Sequence, residues 1–268
     1  MKLFSLFSAS LLSAFFLVQQ SVAQQLSIEI PVCPAMETPA EAEDHEVHAY
    51  SGFTLCYRES YELSEWVAYV LTRKELTKVT GRPKKFYTDY NISTISADSS
   101  DYSRSGYDRG HLAPAADMEW SEQSAKESSY MSNVAPQVAQ LNQGLWNELE
   151  QKVRKWAEAF GEVAVITGPI LEKAPSEYKT IGKNNVVVPE FFYKVLLAPQ
   201  VTDDGKGTFI ALAFILPNKN CTGSIYDYAT SIDEVEQRTG LNFFALIPDA
   251  LENELEGNID FSGWLRGK

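Results

Sequence analysis

One short segment of the sequence combines residue types suited to proton transfer at a phosphate. It runs Asp108-Arg109-Gly110-His111. Histidine is the side chain best suited to accept a proton near neutral pH, and arginine can hold a phosphate through two parallel hydrogen bonds. A carboxylate beside a histidine can fix the tautomer of the imidazole. The segment therefore indicates a proton-transfer site, and its alternative is a surface turn with a helix-capping aspartate.

A second segment supplies oxygen ligands for a hard metal ion. Asn142 and Glu150 lie eight residues apart within the stretch 132–150. On a continuous helix this spacing separates them by roughly 80° and about 12 Å, and side chains tilt towards the helix N-terminus. Both can therefore address one hydrated ion, with Glu150 acting through water, which suits Mg²⁺. The alternative is an asparagine at the start of a helix and a solvated glutamate.

Hydrophobic periodicity predicts the helix that must position the second segment. Apolar residues recur at steps of three and four, which predicts a helix over 138–160 that is ended by Gly161. These residues are Leu141, Leu145, Leu149, Val153 and Trp156. A second helix is expected over 231–239, because Ser231 and Glu234 have the spacing of a capping box.

The remaining elements are predicted to be mostly strands. Runs rich in aromatic and β-branched residues stand at 52–57, 66–72, 163–171, 185–198 and 208–216. The stretch 88–106 is rich in Ser, Asp and Tyr and is expected to be a surface loop. No repeat or linker divides the chain from about residue 45 to residue 268. We therefore predict one α+β domain over 45–268.

The composition is that of a folded protein with an acidic surface. The 268 residues include 23 Lys and Arg and 36 Asp and Glu, which gives a formal net charge of -13. Hydrophobic residues make up 44% of the chain, so disorder along its whole length is excluded. The acidic balance argues against a protein that holds nucleic acid by bulk charge.

The first 23 residues are typical of a cleaved secretory signal peptide. Lys2 precedes an apolar stretch that is shorter than the roughly 20 residues of a membrane-spanning helix, and Ser21-Val22-Ala23 is a small-x-small cleavage site. We therefore predict a signal peptide at 1–23, an irregular leader at 24–44, and a secreted or periplasmic protein without a membrane anchor. In an oxidising compartment, a disulfide could join Cys33 to Cys56 or Cys56 to Cys221.

Together these segments resemble the DNA/RNA non-specific endonuclease family of the ββα-metal superfamily, to which mitochondrial endonuclease G belongs. Residues 105–117 and 132–150 carry most of the resemblance. It continues through Trp66-Val67-Ala68-Tyr69, Thr167-Gly168-Pro169, Ile181-Gly182-Lys183-Asn184, residues 188–195 and residues 239–244. The resemblance thus extends over nearly the whole chain after the leader. It implies a mixed or antiparallel sheet core, a ββα-metal catalytic motif and flanking helices.

The resemblance implies a catalytic base and a metal site. His111 would be the general base that deprotonates the attacking water. Asn142 would be the direct ligand of a single Mg²⁺, with Mn²⁺ as an alternative, and Glu150 would hold a metal-bound water. The implied reaction is endonucleolytic hydrolysis of both DNA and RNA that leaves 5′-phosphates, with little base specificity because the contacts address phosphate and sugar.

The resemblance also implies residues that orient the site and neutralise charge. Arg109 would stabilise charge on the phosphate, Asn133 would help to position the site, and Asp108 would orient it. A basic residue upstream of the motif would bind the substrate phosphate, and three residues are candidates for it. They are Arg82, Lys84 and Lys85. Relatives that form dimers leave a homodimer open.

Two other functions remain to be weighed against a nuclease. One is a metal-dependent phosphodiesterase that acts on small, non-polymeric substrates, and the other is a non-catalytic binding protein on the same fold. A nuclease on an acidic chain requires a locally basic cleft, and lysines and arginines are concentrated at 82–109 and 152–155. We therefore predict a basic cleft around His111, with binding that weakens as salt rises.

Overall fold

The computed structural model describes residues 30–31, 43–202 and 204–265. The predicted signal peptide at 1–23 and most of the predicted leader lie outside the described residues. The strands are β1 (His45–Ala49), β2 (Thr54–Arg58), β3 (Leu63–Thr72), β4 (Asp108–His111), β5 (Val134–Gln137), β6 (Glu162–Ile170), β7 (Thr180–Ile181), β8 (Val186–Val187), β9 (Phe191–Val201), β10 (Gly207–Pro217) and β11 (Ala229–Thr230). The α-helices are α1 (Glu122–Ser128), α2 (Ala139–Asn142), α3 (Leu145–Phe160), α4 (Ile232–Thr239), α5 (Asp249–Gly257) and α6 (Ser262–Leu265).

Seven of the described strands form one sheet in the order β1-β2-β3-β6-β9-β10-β11. Every neighbouring pair in this sheet is antiparallel. Two further antiparallel pairs, β4 with β5 and β7 with β8, lie outside it. The prediction of an α+β fold with a mixed or antiparallel sheet core is therefore confirmed.

The two faces of the large sheet carry separate hydrophobic cores. Helix α3 packs against one face, and helices α4 and α5 contribute to the core on the other. On α3 the buried residues are Leu145, Trp146, Leu149, Val153, Trp156 and Ala157. A buried large apolar side chain contributes about 1.5–3 kcal/mol, so this packing, more than helix propensity, holds α3 in place. Among the described residues, no helix combines the length and hydrophobicity that a membrane crossing requires.

The helix predicted over 138–160 is divided in two at Gly144. Helix α2 ends at Asn142 and helix α3 begins at Leu145. A Cβ atom on residue 144 would lie 2.3 Å from the backbone oxygen of Gln140, so glycine permits the close approach of the two segments. The prediction of one continuous helix is wrong because the chain changes direction between the two metal-ligand candidates.

The strand predicted over 185–198 is also divided. Strand β8 ends at Val187 and strand β9 begins at Phe191, and Pro189 lies in the gap. A proline has no backbone N–H to donate to a sheet, which is consistent with an interruption at this point. The longer part, β9, lies in the large sheet between β6 and β10.

The cysteines leave one of the two predicted disulfide pairings open. Cys221 is a free thiol whose Sγ donates to the backbone oxygen of Pro217 at 3.4 Å. The pairing of Cys56 with Cys221 is therefore not formed. Cys33 lies outside the described residues, so its pairing with Cys56 stays a prediction.

Candidate active site

Strands β4 and β5 form an antiparallel ribbon that leads into helices α2 and α3, in a β-β-α arrangement. Asp108 pairs with Gln137 and His111 pairs with Val134. Between them, a Cβ atom on Gly110 would lie 2.1 Å from the side-chain oxygen of Gln137. Only glycine therefore lets the fully buried Gln137 pack across the strand that carries His111.

A cavity of about 280 Å³ brings together the general-base candidate and both metal-ligand candidates. It is lined by Arg82, His111, Pro114, Ala115, Ala116, Glu119, Asn142, Gln143, Asn147, Glu150 and Arg154. His111 reaches it from the end of β4, Asn142 from the last residue of α2 and Glu150 from the second turn of α3. Three separate elements thus converge on one cavity.

His111 offers a proton-accepting nitrogen at this cavity. The residue is only 7% exposed, and its Nε2 has no hydrogen-bond partner among the described residues. Burial, together with the positive charge of Arg82, lowers the pKa of His111 to about 3. The imidazole is therefore neutral near pH 7, as a general base must be before it takes a proton. Its ring packs against Phe86, with the ring centroids 5.1 Å apart.

Asp108 fixes the orientation of the Asn142 side chain. Nδ2 of Asn142 donates to Oδ2 of Asp108 at 2.9 Å, and Nε2 of Gln143 donates to the same oxygen at 2.8 Å. An ionised carboxylate only accepts hydrogen bonds, so the nitrogen of the Asn142 amide must face it. The amide oxygen of Asn142 is then left for a cation. Asp108 itself does not line the cavity.

Glu150 is held in an environment that disfavours its charge. Burial raises the pKa of Glu150 to about 7. The positive charges of Lys194 and Arg154 lower this pKa but do not cancel the effect of burial. The nearby Asp117 raises the pKa further. A cation in the cavity would favour the ionised form of this carboxylate, since an opposite charge within a few ångströms lowers a carboxyl pKa.

A buried charge network lies beneath Glu150. Asp117 is 1% exposed and accepts hydrogen bonds from the Tyr69 hydroxyl at 2.9 Å and from Arg154 Nη1 at 2.7 Å. Lys194 on β9 is fully buried, and its Nζ lies 4.9 Å from the centroid of the Trp146 ring. Burial lowers the pKa of Lys194 to about 8, whereas the negative charges of Glu150 and Asp117 oppose that shift. The charges of two cations and two carboxylates thus interact at the base of the cavity. They belong to Arg154, Lys194, Asp117 and Glu150, of which Arg154 and Glu150 also line the cavity.

The two remaining candidates from the motif segments do not line the cavity. Arg109 donates from Nη2 to the backbone oxygen of Ser99 at 2.6 Å, and its guanidinium stacks near the rings of Phe86 and Tyr102. Phe86 contacts both this guanidinium and the ring of His111, so Arg109 lies beside the catalytic candidate without facing the cavity.

Asn133 is fully buried and acts on the backbone that follows His111. Its Oδ1 accepts from the Ala113 amide at 2.8 Å, and its Nδ2 donates to the backbone oxygens of Ala113 and Ser128 at 2.9 and 2.8 Å. Its own backbone oxygen accepts from the Leu112 amide at 2.9 Å. Because these bonds occupy both ends of the amide, Asn133 has no group free to touch a substrate, and its contacts position the loop after β4.

The structure distinguishes between the three upstream basic candidates. Arg82 lines the cavity, and its charge acts on both His111 and Glu150. Lys84 and Lys85 are exposed and are not among the lining residues.

Sequence reasoning missed Glu119 and Lys194, and it counted Arg154 only among the basic residues expected around the cleft. Arg154 follows Glu150 by four residues on α3, so helical spacing alone could have placed it on the same face. Glu119 is buried and lies 2.6 Å from the Lys78 ammonium, and no local pattern marks it. The lining thus holds two arginines and two glutamates, so the cavity itself is of mixed charge, and the basic cleft expected around His111 stays a prediction.

The donors around the cavity fit a hard divalent cation. They include the side-chain oxygens of Asn142, Glu119 and Glu150, and the lining holds no cysteine. Few protein oxygens in a cavity with room for water match Mg²⁺, which keeps several waters when it is bound to proteins.

Comparison with known proteins identifies similar chains along most of this sequence. Residues 34–250 match the model of the DNA/RNA non-specific endonuclease family. The chain is 34% identical over 210 residues to the mitochondrial nuclease EXOG of Danio rerio, covering 74% of this chain and 61% of that one. It is 32% identical over 231 residues to the mitochondrial endonuclease G of Bos taurus, covering 80% and 76%. The chain thus spans about three fifths of the EXOG nuclease.

A solved structure shares the fold. A chain from the crystal structure of the EndoG/EndoGI complex superposes with a TM-score of 0.68 at 32% identity, covering 76% of this chain and 88% of that one. That structure is described as showing how EndoG is inhibited.

The comparisons contradict the prediction of a secreted or periplasmic protein. The similar proteins from Danio rerio, Bos taurus and Saccharomyces cerevisiae are all named as mitochondrial nucleases. They point to mitochondria rather than to export. An apolar N-terminal stretch behind one lysine is therefore too little to assign the compartment, and residues 1–23 lie outside the described residues.

Proposed function

Because the chain belongs to the DNA/RNA non-specific endonuclease family, we propose that it is a metal-dependent endonuclease that hydrolyses phosphodiester bonds of both DNA and RNA. One observation carries the proposal: an unpartnered Nε2 of the neutral His111 shares a cavity with Asn142 and Glu150. A proton acceptor beside oxygen ligands for a cation is the minimum that metal-assisted hydrolysis of a phosphodiester requires.

His111 acts as the general base in this proposal. Its Nε2 accepts the proton of the attacking water as the new oxygen–phosphorus bond forms. The leaving oxygen takes up a proton from solvent as its bond to phosphorus breaks, and His111 then releases its own proton to solvent. The low pKa of His111 keeps the imidazole neutral before the reaction, and the step uses the tautomer that carries its proton on Nδ1. Asn133 supports the step through the backbone of Ala113, because it holds the loop that follows His111.

Asn142 and Glu150 would hold the cation, which we propose to be Mg²⁺ with Mn²⁺ as an alternative. When bound, the ion would neutralise charge on the phosphate and on the leaving oxygen. Asn142 contributes its amide oxygen, which Asp108 leaves unoccupied, and Glu150 contributes through water. Lys194 and Arg154 stabilise the carboxylate form of Glu150 from below.

Arg82 is the arginine best placed to bind the scissile phosphate. It is exposed, lines the cavity and has no carboxylate partner among the described residues. Arg154 also lines the cavity but is bound to Asp117. Arg109 does not face the cavity, so the charge stabilisation that the resemblance implies for it would act on the substrate beyond the cavity edge. Because these contacts address phosphate, the enzyme has low base specificity. The resemblance to the family implies that hydrolysis leaves 5′-phosphate ends. A homodimer stays a prediction that light scattering can test.

A nicking assay tests the proposed function directly. The protein should relax supercoiled plasmid and degrade RNA in Mg²⁺, and EDTA or His111→Ala should abolish both activities. Hydrolysis of bis(p-nitrophenyl) phosphate, with both polymers left intact, would instead support the small-substrate phosphodiesterase. Binding of nucleic acid without cleavage in any metal would support the non-catalytic alternative.

A further inference from the structure

Three carboxylates meet on the face of the sheet opposite to helix α3. Asp233 and Glu236 lie three residues apart on α4, so they project from the same side of that helix, and Glu256 lies on α5. One carboxylate oxygen of each residue lies within 4.8 Å of the others. The cluster thus joins two helices that both pack on β10.

Glu256 is the buried member of the cluster, and one of its carboxylate oxygens has no hydrogen-bond partner among the described residues. The residue is only 7% exposed, and the oxygen in question is Oε1. A buried carboxylate oxygen without a hydrogen bond carries a larger free-energy penalty than a buried neutral group without one.

No described lysine or arginine forms a salt bridge with any of the three carboxylates. The arginine of α4, Arg238, is instead bound to Glu172, with its Nε 2.8 Å from Oε1. Glu236 receives one hydrogen bond, from the backbone amide of Phe243 at 2.8 Å. Three mutually repelling carboxylates therefore surround a point where a cation would be stabilised.

We propose that Asp233, Glu236 and Glu256 form a Ca²⁺ site that ties helix α4 to helix α5. Oxygen ligands bind Ca²⁺ at about 2.3–2.6 Å in flexible geometry. One oxygen of each residue lies within 4.8 Å of the others, which is close enough for a single ion to contact all three. Mg²⁺ demands a near-octahedral shell and keeps several of its waters, so a cluster of three carboxylates suits Ca²⁺ better. Asp233 is exposed, so water can complete the shell.

The site is independent of the proposed nuclease chemistry. Helices α4 and α5 bury Ile232, Val235 and Leu255 in the core on their own face of the sheet. An ion between them would therefore stabilise the attachment of the C-terminal helices, and we expect it to leave phosphodiester hydrolysis unchanged.

Calcium titration of the full chain tests the site. The Asn142→Ala variant provides the background, because it removes a direct ligand of the other proposed cation site. We expect calorimetry to show one Ca²⁺ bound with a Kd of the order of 10⁻⁴ M. Millimolar Ca²⁺ should raise Tm by about 5 °C, and the same concentration of Mg²⁺ should raise it less.

Glu256→Gln should weaken Ca²⁺ binding at least tenfold and remove the Tm rise. Glu254→Gln, which changes an exposed carboxylate on the same helix, is the matched control and should leave both intact. If Glu256→Gln does not fold, Asp233→Asn on the exposed rim of the cluster takes its place. No Ca²⁺ binding in the Asn142→Ala background, binding that both variants leave unchanged, or an equal affinity for Mg²⁺ would each overturn the proposal.

Discussion

The side-chain nitrogen of Asn142 lies 2.9 Å from Oδ2 of Asp108, and this hydrogen bond joins the helix end of the proposed cation site to the strand that carries His111. Asp108 precedes His111 by three residues on β4, so one short strand orients the proposed metal ligand at its start and presents the proposed base at its end. The distance between the proposed base and the proposed cation site is therefore set partly by a four-residue strand.

Removal of Asp108 should weaken the cation site without removing a ligand. In Asp108→Ala the Asn142 amide loses the partner that fixes its nitrogen, and outer partners of metal ligands are typically worth 10–100-fold in metal affinity. The Mg²⁺ concentration for half-maximal cleavage should rise by about that factor, and excess Mg²⁺ should restore most of kcat. Gln143→Ala, which removes the other donor to Asp108, is the control and should change this concentration only slightly.

Loss of the base should affect turnover rather than binding. His111→Ala should lower kcat for plasmid cleavage by about 10²–10⁴, while the Kd for DNA measured in Ca²⁺ stays within about threefold. His48→Ala, in strand β1, is the control and should cleave like the unchanged protein. A His111→Ala variant that keeps more than a tenth of kcat would assign the base elsewhere.

Replacement of Arg82 should lower kcat/KM more than replacement of Lys84 or Lys85. Arg82→Ala removes a cation from the cavity and should lower kcat/KM by about 10²–10³. Lys84→Ala and Lys85→Ala, which change exposed residues outside the lining, should lower it no more than about threefold. Equal losses in the three variants would indicate that the segment binds the polymer as a whole rather than through one residue.

The raised pKa of Glu150 predicts a pH-dependent gain in stability when its charge is removed. The carboxyl titrates near pH 7 in the folded chain and near 4.5 when unfolded, so its contribution to stability is present below pH 4.5 and lost as pH rises through 7. In EDTA at pH 8, Glu150→Gln should therefore raise the free energy of unfolding by about 2–3 kcal/mol. At pH 4.5 the two proteins should be equal, and Glu148→Gln, on the exposed side of α3, should show no such dependence.

Asn133 should prove to be a positioning residue. Asn133→Ala leaves the buried amide and oxygen of Ala113 without partners, which should lower the free energy of unfolding by about 2–4 kcal/mol. Urea unfolding measures this loss. Because the loop after His111 loosens, kcat should fall while KM changes little, and a rise in KM alone would instead indicate direct contact with the substrate.

Much of the fold could be predicted because local patterns and tertiary packing agree. The apolar residues expected to line the helix, such as Leu149 and Trp156, are indeed buried. Strand β10, Gly207–Pro217, and helix α4, Ile232–Thr239, lie within one or two residues of the predicted bounds.

The break at Gly144 escaped prediction because the apolar spacing continues across it, from Leu141 to Leu145. Helix α5 escaped prediction because its acidic composition is typical of a solvated tail.

The charges beneath the site could not be predicted from local sequence. Lys194 stands in a run of aromatic and aliphatic residues, where a lysine ordinarily indicates the solvent face of a strand. It is buried because β9 lies inside the sheet and α3 covers that face, bringing Trp146 and Glu150 over it. Such a contact depends on residues about 45 positions apart in sequence, and no periodicity reports it.

The break at Gly144 also has a consequence for protein engineering. Because Asn142 and Glu150 stand on separate segments, the pitch of a single helix does not dictate their spacing. The side chain at position 142 can be redesigned on its own, for instance to exchange the amide of Asn142 for a carboxylate and alter the cation preference of the proposed site. The packed face of α3, and with it the carboxylate of Glu150, would stay untouched. A substitution at the same position would also let the cation preference of the proposed site change during evolution.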